Sequence, residues 1–587
     1  MMSAKLKLFR ALRQVGLSSN PHQLHPAHSI PRVHYGKYQQ SAGISACTEN
    51  AGAEGFSMVS AVVVPPLTVS AAAAPTKKVV VVGGGVGGLV TAGLLKKGGL
   101  DSVRVLEQNS NVGGRLQSVT IEGVRFDTGP SLLLFPDTYQ QTFAALGVEG
   151  IELRQIKPAA YRLFFGGNER DKGDKGDSLD LLWDVDDMAA QYERREKGAG
   201  DRYRAFLKSA RASLELGMPN FIERDLSKID ARSLVDLIPQ AASVNPLELL
   251  APFDLVLRRY FKSDKLRMAF TFQTLYVGLT PYSAPGVFSL LAATELTDGV
   301  WYPKGGFGRI RDGIHEAVRS LGVVVETGVR VDGIVVEGGR VVGVRTSAGV
   351  VEADVVVCNR DLADAYPLIE GDARAVEYAR EKDAALSSLS YSSGVISFLW
   401  GVDGNVCGKL LHHNVFINTA APKKAWKPAR TPAELCAYPN FYVHVPSKSD
   451  TSAAPEGLES VMVLLPVASL QGEGDVERDM EGMVATGRQL VIDFLAEALG
   501  QDDFGQHIVS ETTIDPVEWR RRYGLKHGAA FGLSHGLDQL SIFRPSAEDP
   551  SIDGLFFAGA STRPGNGVPL VMIGARLVAE RILELFG

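Results

Sequence analysis

Residues 83–88, Gly-Gly-Gly-Val-Gly-Gly, restrict the fold of this 587-residue chain more than any other stretch. They follow KKVVVV (77–82), an unbroken β-branched run of the kind buried on both faces of a parallel sheet. LVTAGLLKKG then reads as a helix that stops at Gly98-Gly99, and SVRVLEQ (102–108) as a second strand with Glu107 near its end. Gly83, Gly85 and Gly88 fit the G-x-G-x-x-G spacing. Gly83 permits the tight turn, Gly85 lets backbone N–H groups approach a pyrophosphate at the helix N-terminus, and Gly88 lets helix and strand pack closely. Glu107 lies 19 residues beyond Gly88, where a carboxylate accepts hydrogen bonds from an adenosine ribose. Glycine-rich turns are common alone. Strand, glycines, helix, strand and acid in one unit of about 30 residues predict dinucleotide binding on an α/β sheet.

Directly after Glu107 comes QNSNVGGRLQS, which carries Gly113-Gly114-Arg115. A second glycine pair with an arginine offers further backbone donors and a fixed cation beside a diphosphate. A surface hairpin with a solvated arginine is the plainer alternative. With this element the sequence resembles the flavoproteins of the two-dinucleotide-binding-motif group, which include amine oxidases and carotenoid desaturases. In them a Gly-Gly-Arg follows the acidic residue, and the cofactor is FAD. Four later stretches resemble the phytoene desaturases of bacterial and fungal type. They are FTFQTLYVGLTPYSAPGVFSLLAATELTDGVWYPKGGFGRI (270–310), VHVPSKSDTSAAPEGLESVMVLLPV (443–467), AAFGLSHGLDQ (529–539) and FFAGASTRPGNGVP (556–569). The resemblance runs from about residue 77 to 587 with the motifs in family order.

The resemblance implies an α/β fold: a discontinuous Rossmann-like FAD domain and a substrate domain of mixed sheet and helices. The residues agree with this. VVVETGVRVDGIVVEGGRVVGVRTSAGVVEADVVVCNRD (323–361) reads as short alternating strands with glycine turns that end in a buried strand. The expected FAD domain spans 76–150, 300–380 and 540–587; the substrate domain, with its membrane-associating surface, spans 151–299 and 381–539. GGNERDKGDKGDSLD (166–180) reads as a solvated hairpin insert. By resemblance the backbone of Val331 touches the adenine, Gly559-Ala560 faces the diphosphate, and Val568-Pro569-Leu570 faces the flavin ring. The last helix aims its positive N-terminus at that ring.

The family's usual reaction removes two hydrogens from adjacent carbons of a polyene, with a hydride passing to flavin N5. Such a hydrocarbon calls for a long apolar tunnel, for which Tyr276, Phe288, Leu290, Leu291, Trp301 and Tyr302 are candidate walls. Glu295 is the one carboxylate inside that apolar stretch and a candidate acid or base; a surface acid on a helix fits as well. Relatives commonly carry His where this chain has Arg563. An arginine does not shuttle protons, so its candidate role is a fixed cation beside the flavin, and loop bracing is the alternative. Residues 252–270 interleave Leu255, Leu257, Phe261, Leu266 and Phe270 with five cations, a pattern suited to peripheral docking on a membrane or to an ordinary surface helix. Quinone or oxygen is the expected electron acceptor. Three rivals share the evidence: a carotenoid cis–trans isomerase or retinoid saturase-like enzyme, an amine oxidase, and a non-catalytic carotenoid-binding flavoprotein. The final loop lacks the paired aromatics of an amine oxidase cage.

Composition narrows the rest. A net charge of −6 gives no sign of nucleic-acid binding. Cys47, Cys358, Cys407 and Cys436 are scattered without a Cys-x-x-Cys pair, which argues against a zinc site, a disulfide framework or a redox dithiol; no metal is expected. Residues 1–48 contain no Asp or Glu but six Lys and Arg. We read 1–75 as a transit peptide and linker for a plastid, with the mature protein peripheral on a membrane; a cytosolic tail is the alternative.

Overall fold

The computed structural model describes residues 77–587 apart from 168–176, 227–244 and 473–478; the leader and most of the insert therefore lie outside the described residues. The valine run becomes β1 (Lys78–Val82), hydrogen-bonded on both edges, with Val79 to Val82 all buried. Helix α1 (Val86–Lys97) returns the chain to β2 (Ser102–Glu107), parallel to β1. Much later segments complete this sheet: β3 (Val324–Thr327), β4 (Val355–Cys358) and β5 (Leu555–Phe557). The order is β5-β4-β1-β2-β3, all parallel. The final helix α2 (Val568–Phe586) packs against α1 through an apolar stripe that includes Met572, Val578 and Ile582. The carboxyl ends of β1, β2, β4 and β5 converge at Gly83, Glu107, Asn359 and Gly559, the edge where open α/β sheets bind ligands.

Between β3 and β4 lie the expected short strands, Val331–Glu337, Arg340–Thr346 and Gly349–Glu352, paired antiparallel with Ile369–Gly371 added on one edge. A seven-stranded sheet takes strands from two other regions. In spatial order they are Ile508–Ile514, Gly394–Asp403, Leu458–Val467, Phe441–His444, His413–Asn418, Ala159–Gly166 and Ser178–Leu182. The last two pair antiparallel and flank the insert. Helix Ala199–Gly217 forms where the pattern DRYRAFLKSARASLEL places it.

One expectation is corrected here. Residues 252–270 do not form one amphipathic surface. The helix Phe253–Tyr260 ends at Phe261, a second short helix follows at Asp264–Met268, and Leu257, Phe261, Leu266 and Phe270 are fully buried. Of the five apolar residues only Leu255 is exposed, at 53%, because the break at Phe261 turns the others into the core. The described cysteines, Cys358, Cys407 and Cys436, are buried free thiols, and burial pushes Cys358 up to about 11.

Candidate active site

At Gly85 and Gly88 the glycine cradle leaves no room for a side chain. An added Cβ at Gly88 would stand 2.3 Å from the Gly83 carbonyl oxygen, and one at Gly85 would stand 2.6 Å from Asn359 Oδ1. Gly85 caps α1 without any side-chain partner for the helix's first N–H groups, so those donors remain directed at whatever the cradle holds. Glu107 is buried; its Oε2 accepts from the Gly84 N–H at 2.7 Å and its Oε1 from the Asn109 backbone and side chain, both at 2.8 Å. The second glycine pair docks on the first: Gly113 N–H donates to Gly84 O at 2.7 Å, and Gly114 abuts Gly85.

A cavity of about 610 Å³ runs from this cradle to residues 213–222 and 287–291. Gly83, Gly85, Glu107, Gly114, Arg115, Val331, Gly559, Ala560 and Val568 all line it, together with Pro569 and Leu570; Gly88 lies beneath the cradle. The opposite end is walled by Leu216, Phe221, Leu249, Leu275, Leu290 and Leu291. One end is therefore backbone donors and charge, the other hydrocarbon.

Several polar residues here escaped the reading of the sequence. Asn359 and Asp361 follow directly on β4. Asn359 Nδ2 donates to Ala558 O at 2.7 Å and pins β5 to the glycine cradle. Both carboxylate oxygens of Asp361 are buried without a partner, and the residue lines the cavity. Arg115 is half-buried, donates to Ala530 O at 2.8 Å and feels the charge of Asp361; desolvation pulls its pKa down. Arg544 is 1% exposed and donates to five carbonyls, those of Leu533, Ser534, Gln539, Ala560 and Thr562. Burial lowers it to about 9. His535 lines the cavity beside Gly565 and Asn566, and burial holds it neutral. The position of Asn359 and Asp361 at the carboxyl end of a buried strand was the available signal; Arg544 and His535 had none.

The two catalytic candidates lie elsewhere. Glu295 is 0% exposed and does not line the cavity; Oε1 accepts from the Tyr161 hydroxyl at 2.9 Å and Oε2 from Gln273 Nε2 at 2.6 Å. Burial raises it to about 8, the shift expected of a carboxyl in the core. Arg563 also stays out of the cavity lining. Its Nε donates to Arg544 O at 3.0 Å and its Nη2 to Ile542 O at 2.7 Å, so it braces the loop. Among the tunnel candidates, Phe288, Leu290 and Leu291 line the cavity. Tyr302 and Trp301 do not: the Tyr302 hydroxyl donates to Asp127 at 2.6 Å, and Trp301 Nε1 to Asp298 O at 3.0 Å. The side chain of Tyr276 lies outside the described residues.

Glycines 85 and 88, where a Cβ would clash, and helix donors without a capping side chain fit a bound dinucleotide. The family model for flavin containing amine oxidoreductase matches residues 86–583. The phytoene desaturase of Phycomyces blakesleeanus is 34% identical over 511 residues, covering 85% of this chain and 84% of that protein. The zeta-carotene-forming phytoene desaturase of Myxococcus xanthus is also 34% identical, covering 85% and 92%. The carotenoid 3,4-desaturase of Haloarcula japonica is 32% identical, covering 85% and 96%. Among solved structures, an oxidoreductase from Methanosarcina mazei superposes with a TM-score of 0.58 at 17% identity over 86% of this chain and all of that one. A fatty acid isomerase from P. acnes does so at 0.52 and 14% over 88% of this chain and all of that one. These two attest the fold. The cofactor of such a family is a flavin. The chain belongs to the flavin-containing amine oxidoreductases and, within them, to the family of the phytoene and carotenoid desaturases.

Proposed function

We propose that this protein is an FAD-dependent desaturase of a carotenoid polyene. The observation that carries the reading is the single cavity whose one end is a dinucleotide cradle and whose other end is lined by leucine and phenylalanine. A hydrocarbon has no polar handle, so binding must come from apolar burial, about 25 cal/mol per Å². When bound, the flavin supplies the two-electron acceptor. The chain's own residues position and receive. Gly83, Gly85 and Gly114 admit the diphosphate, Glu107 takes the ribose, and Val331 borders the adenine. Gly559, Ala560 and Val568 border the diphosphate and ring. The proton that leaves the neighbouring carbon needs an acceptor at the cavity. Two carboxylates line it. Glu107 is already held by Gly84 and Asn109, so Asp361, with both oxygens free of partners, is the one placed to accept. We read 76–150, 300–380 and 540–587 as the cofactor half, the remainder of 151–539 as the substrate half, and quinone or oxygen as the final oxidant.

No helix among the described residues is long and apolar enough to cross a membrane. Leu250 lines the cavity yet is 42% exposed, and Leu255 nearby is 53% exposed, so the cavity mouth is the surface we assign to peripheral membrane contact. A plastid destination rests on the composition of the leader alone. Anaerobic incubation of the purified protein with candidate carotenes, with and without a quinone, tests the activity. Desaturation bleaches the flavin and lengthens the chromophore. Isomerisation at constant mass, or unchanged pigment, overturns the reading in favour of the isomerase or the binding protein.

A further inference from the structure

Three histidines meet inside the seven-stranded sheet. His413 opens the strand His413–Asn418 and lies directly opposite His444, which closes Phe441–His444, so both side chains share one face. His412 precedes His413 and brings its Nε2 to 3.0 Å from His444 Nε2. None of the three is more than 3% exposed, and one ring nitrogen from each lies within 4.8 Å of the other two.

Two of the outer nitrogens are already engaged. His412 Nδ1 meets the Ser449 hydroxyl at 2.5 Å, and His413 Nδ1 meets the Tyr442 hydroxyl at 2.7 Å. Tyr442 in turn reaches Ser131 Oγ at 3.0 Å. Such outer partners fix ring orientation and leave Nε2 directed inward, the arrangement found around metal-bound imidazoles. The set is incomplete: His413 Nε2 is buried without a partner on the inward side, and His444 Nδ1, on the other side of its ring from His412, is also buried without one. Buried polar atoms of a native protein are satisfied by protein, water or an ion.

We propose that His412, His413 and His444 hold a divalent transition metal of the zinc class. Three neutral imidazoles with no oxygen ligand exclude calcium and magnesium, which take oxygen, and suit zinc and its borderline neighbours. Ligand nitrogens of a tetrahedral zinc stand about 3.4 Å apart. The His412–His444 pair is near that spacing at 3.0 Å, and all three nitrogens lie within 4.8 Å of one another, so the third closes on a metal by ring reorientation. No Asp, Glu or Cys of the described residues joins the group, so water takes the fourth position. The cysteine spacing that argued against zinc has no bearing on a nitrogen-only set. Tyr302 covers His412 and His444 with ring centroids at 4.8 and 5.6 Å. Tyr442 and Ser131 line the active-site cavity, so the metal stands one side chain behind its wall.

The test uses the full flavin-loaded protein, purified without a histidine tag or chelator. Elemental analysis after gel filtration should give about one zinc-class metal per chain. His413→Gln and His444→Gln should lose it while keeping their flavin. Protein isolated metal-free should still rise in melting temperature with zinc chloride, and both variants should not. Should the variants fail to fold, cobalt added to the wild type should give the visible bands of a tetrahedral nitrogen site beyond the flavin absorption. A metal-free wild type that neither responds to zinc nor develops cobalt bands overturns the proposal, as does a variant that retains the metal.

Discussion

Valine at position 85 would drive its Cβ into Asn359 and its methyl groups into the mouth of the cradle. Gly85→Val should therefore emerge from gel filtration without flavin, and a fully yellow variant would mean that the diphosphate lies elsewhere. Glu107→Ala removes the charge-assisted bond proposed to the ribose, worth roughly 1.5–3 kcal/mol, so flavin affinity should fall by about one to two decades on titration of the apoprotein. Glu295 invites a different measurement. Its folded pKa is raised from 4.5 to about 8. Over that interval the fold keeps a proton that the unfolded chain has released, so stability falls as pH rises from 4.5 to 8 and then levels off. Glu295→Gln, always neutral, removes this contribution. The melting temperature of the variant should gain on the wild type as pH rises through the interval, with desaturation retained. Equal curves, or an inactive variant that still binds flavin, would restore Glu295 as a candidate acid or base.

At the scale of elements, the loop between β5 and α2 is held from behind by Arg544. Arg544→Met leaves the carbonyls of Leu533, Ser534, Gln539, Ala560 and Thr562 without their donor. Stripping a buried network of its charged member costs about 3–5 kcal/mol, so the denaturant midpoint should drop and flavin should dissociate. Arg563→Gln breaks only two such bonds and should cost less, with flavin reduction near the wild-type rate. These two arginines show how much was legible in the chain. The unit from β1 to Glu107 could be read because its parts are local in sequence and Gly88 answers to Gly83 five residues away, whereas the contact of Gly85 with Asn359 is one that no local pattern announces. Arg544 could not, since its partners sit on separate loops and nothing in FRPS marks a buried cation. The cations of residues 252–270 suggested a surface, yet the break at Phe261 decides which side faces water, and no periodicity announces it. Glu295 stood out as the one carboxylate in an apolar stretch, with burial and a surface helix both open; that it is buried against Tyr161 and Gln273 rather than at the cavity is a matter of tertiary packing.

For the molecule as a whole, the exposed leucines at the cavity mouth give the membrane reading its test. Leu250→Glu with Leu255→Glu should weaken cosedimentation with anionic vesicles, since each replacement exchanges apolar burial for like charge; unaltered binding would move the contact elsewhere. The parallel sheet has a consequence of another kind, in time. The glycine cradle is made at residues 83–88, but its far wall waits for residues 568–571. At about 5–20 residues per second the ribosome needs roughly half a minute to a minute and a half to bridge them. Through most of that interval β1 has β2 on one side and an open, all-valine edge on the other, because β4 has not yet been synthesised. An edge of that kind is a template for mispairing. Shielding of that edge until residue 358 has emerged is the expected requirement, and the cavity has its full lining only once residues 568–571 are made.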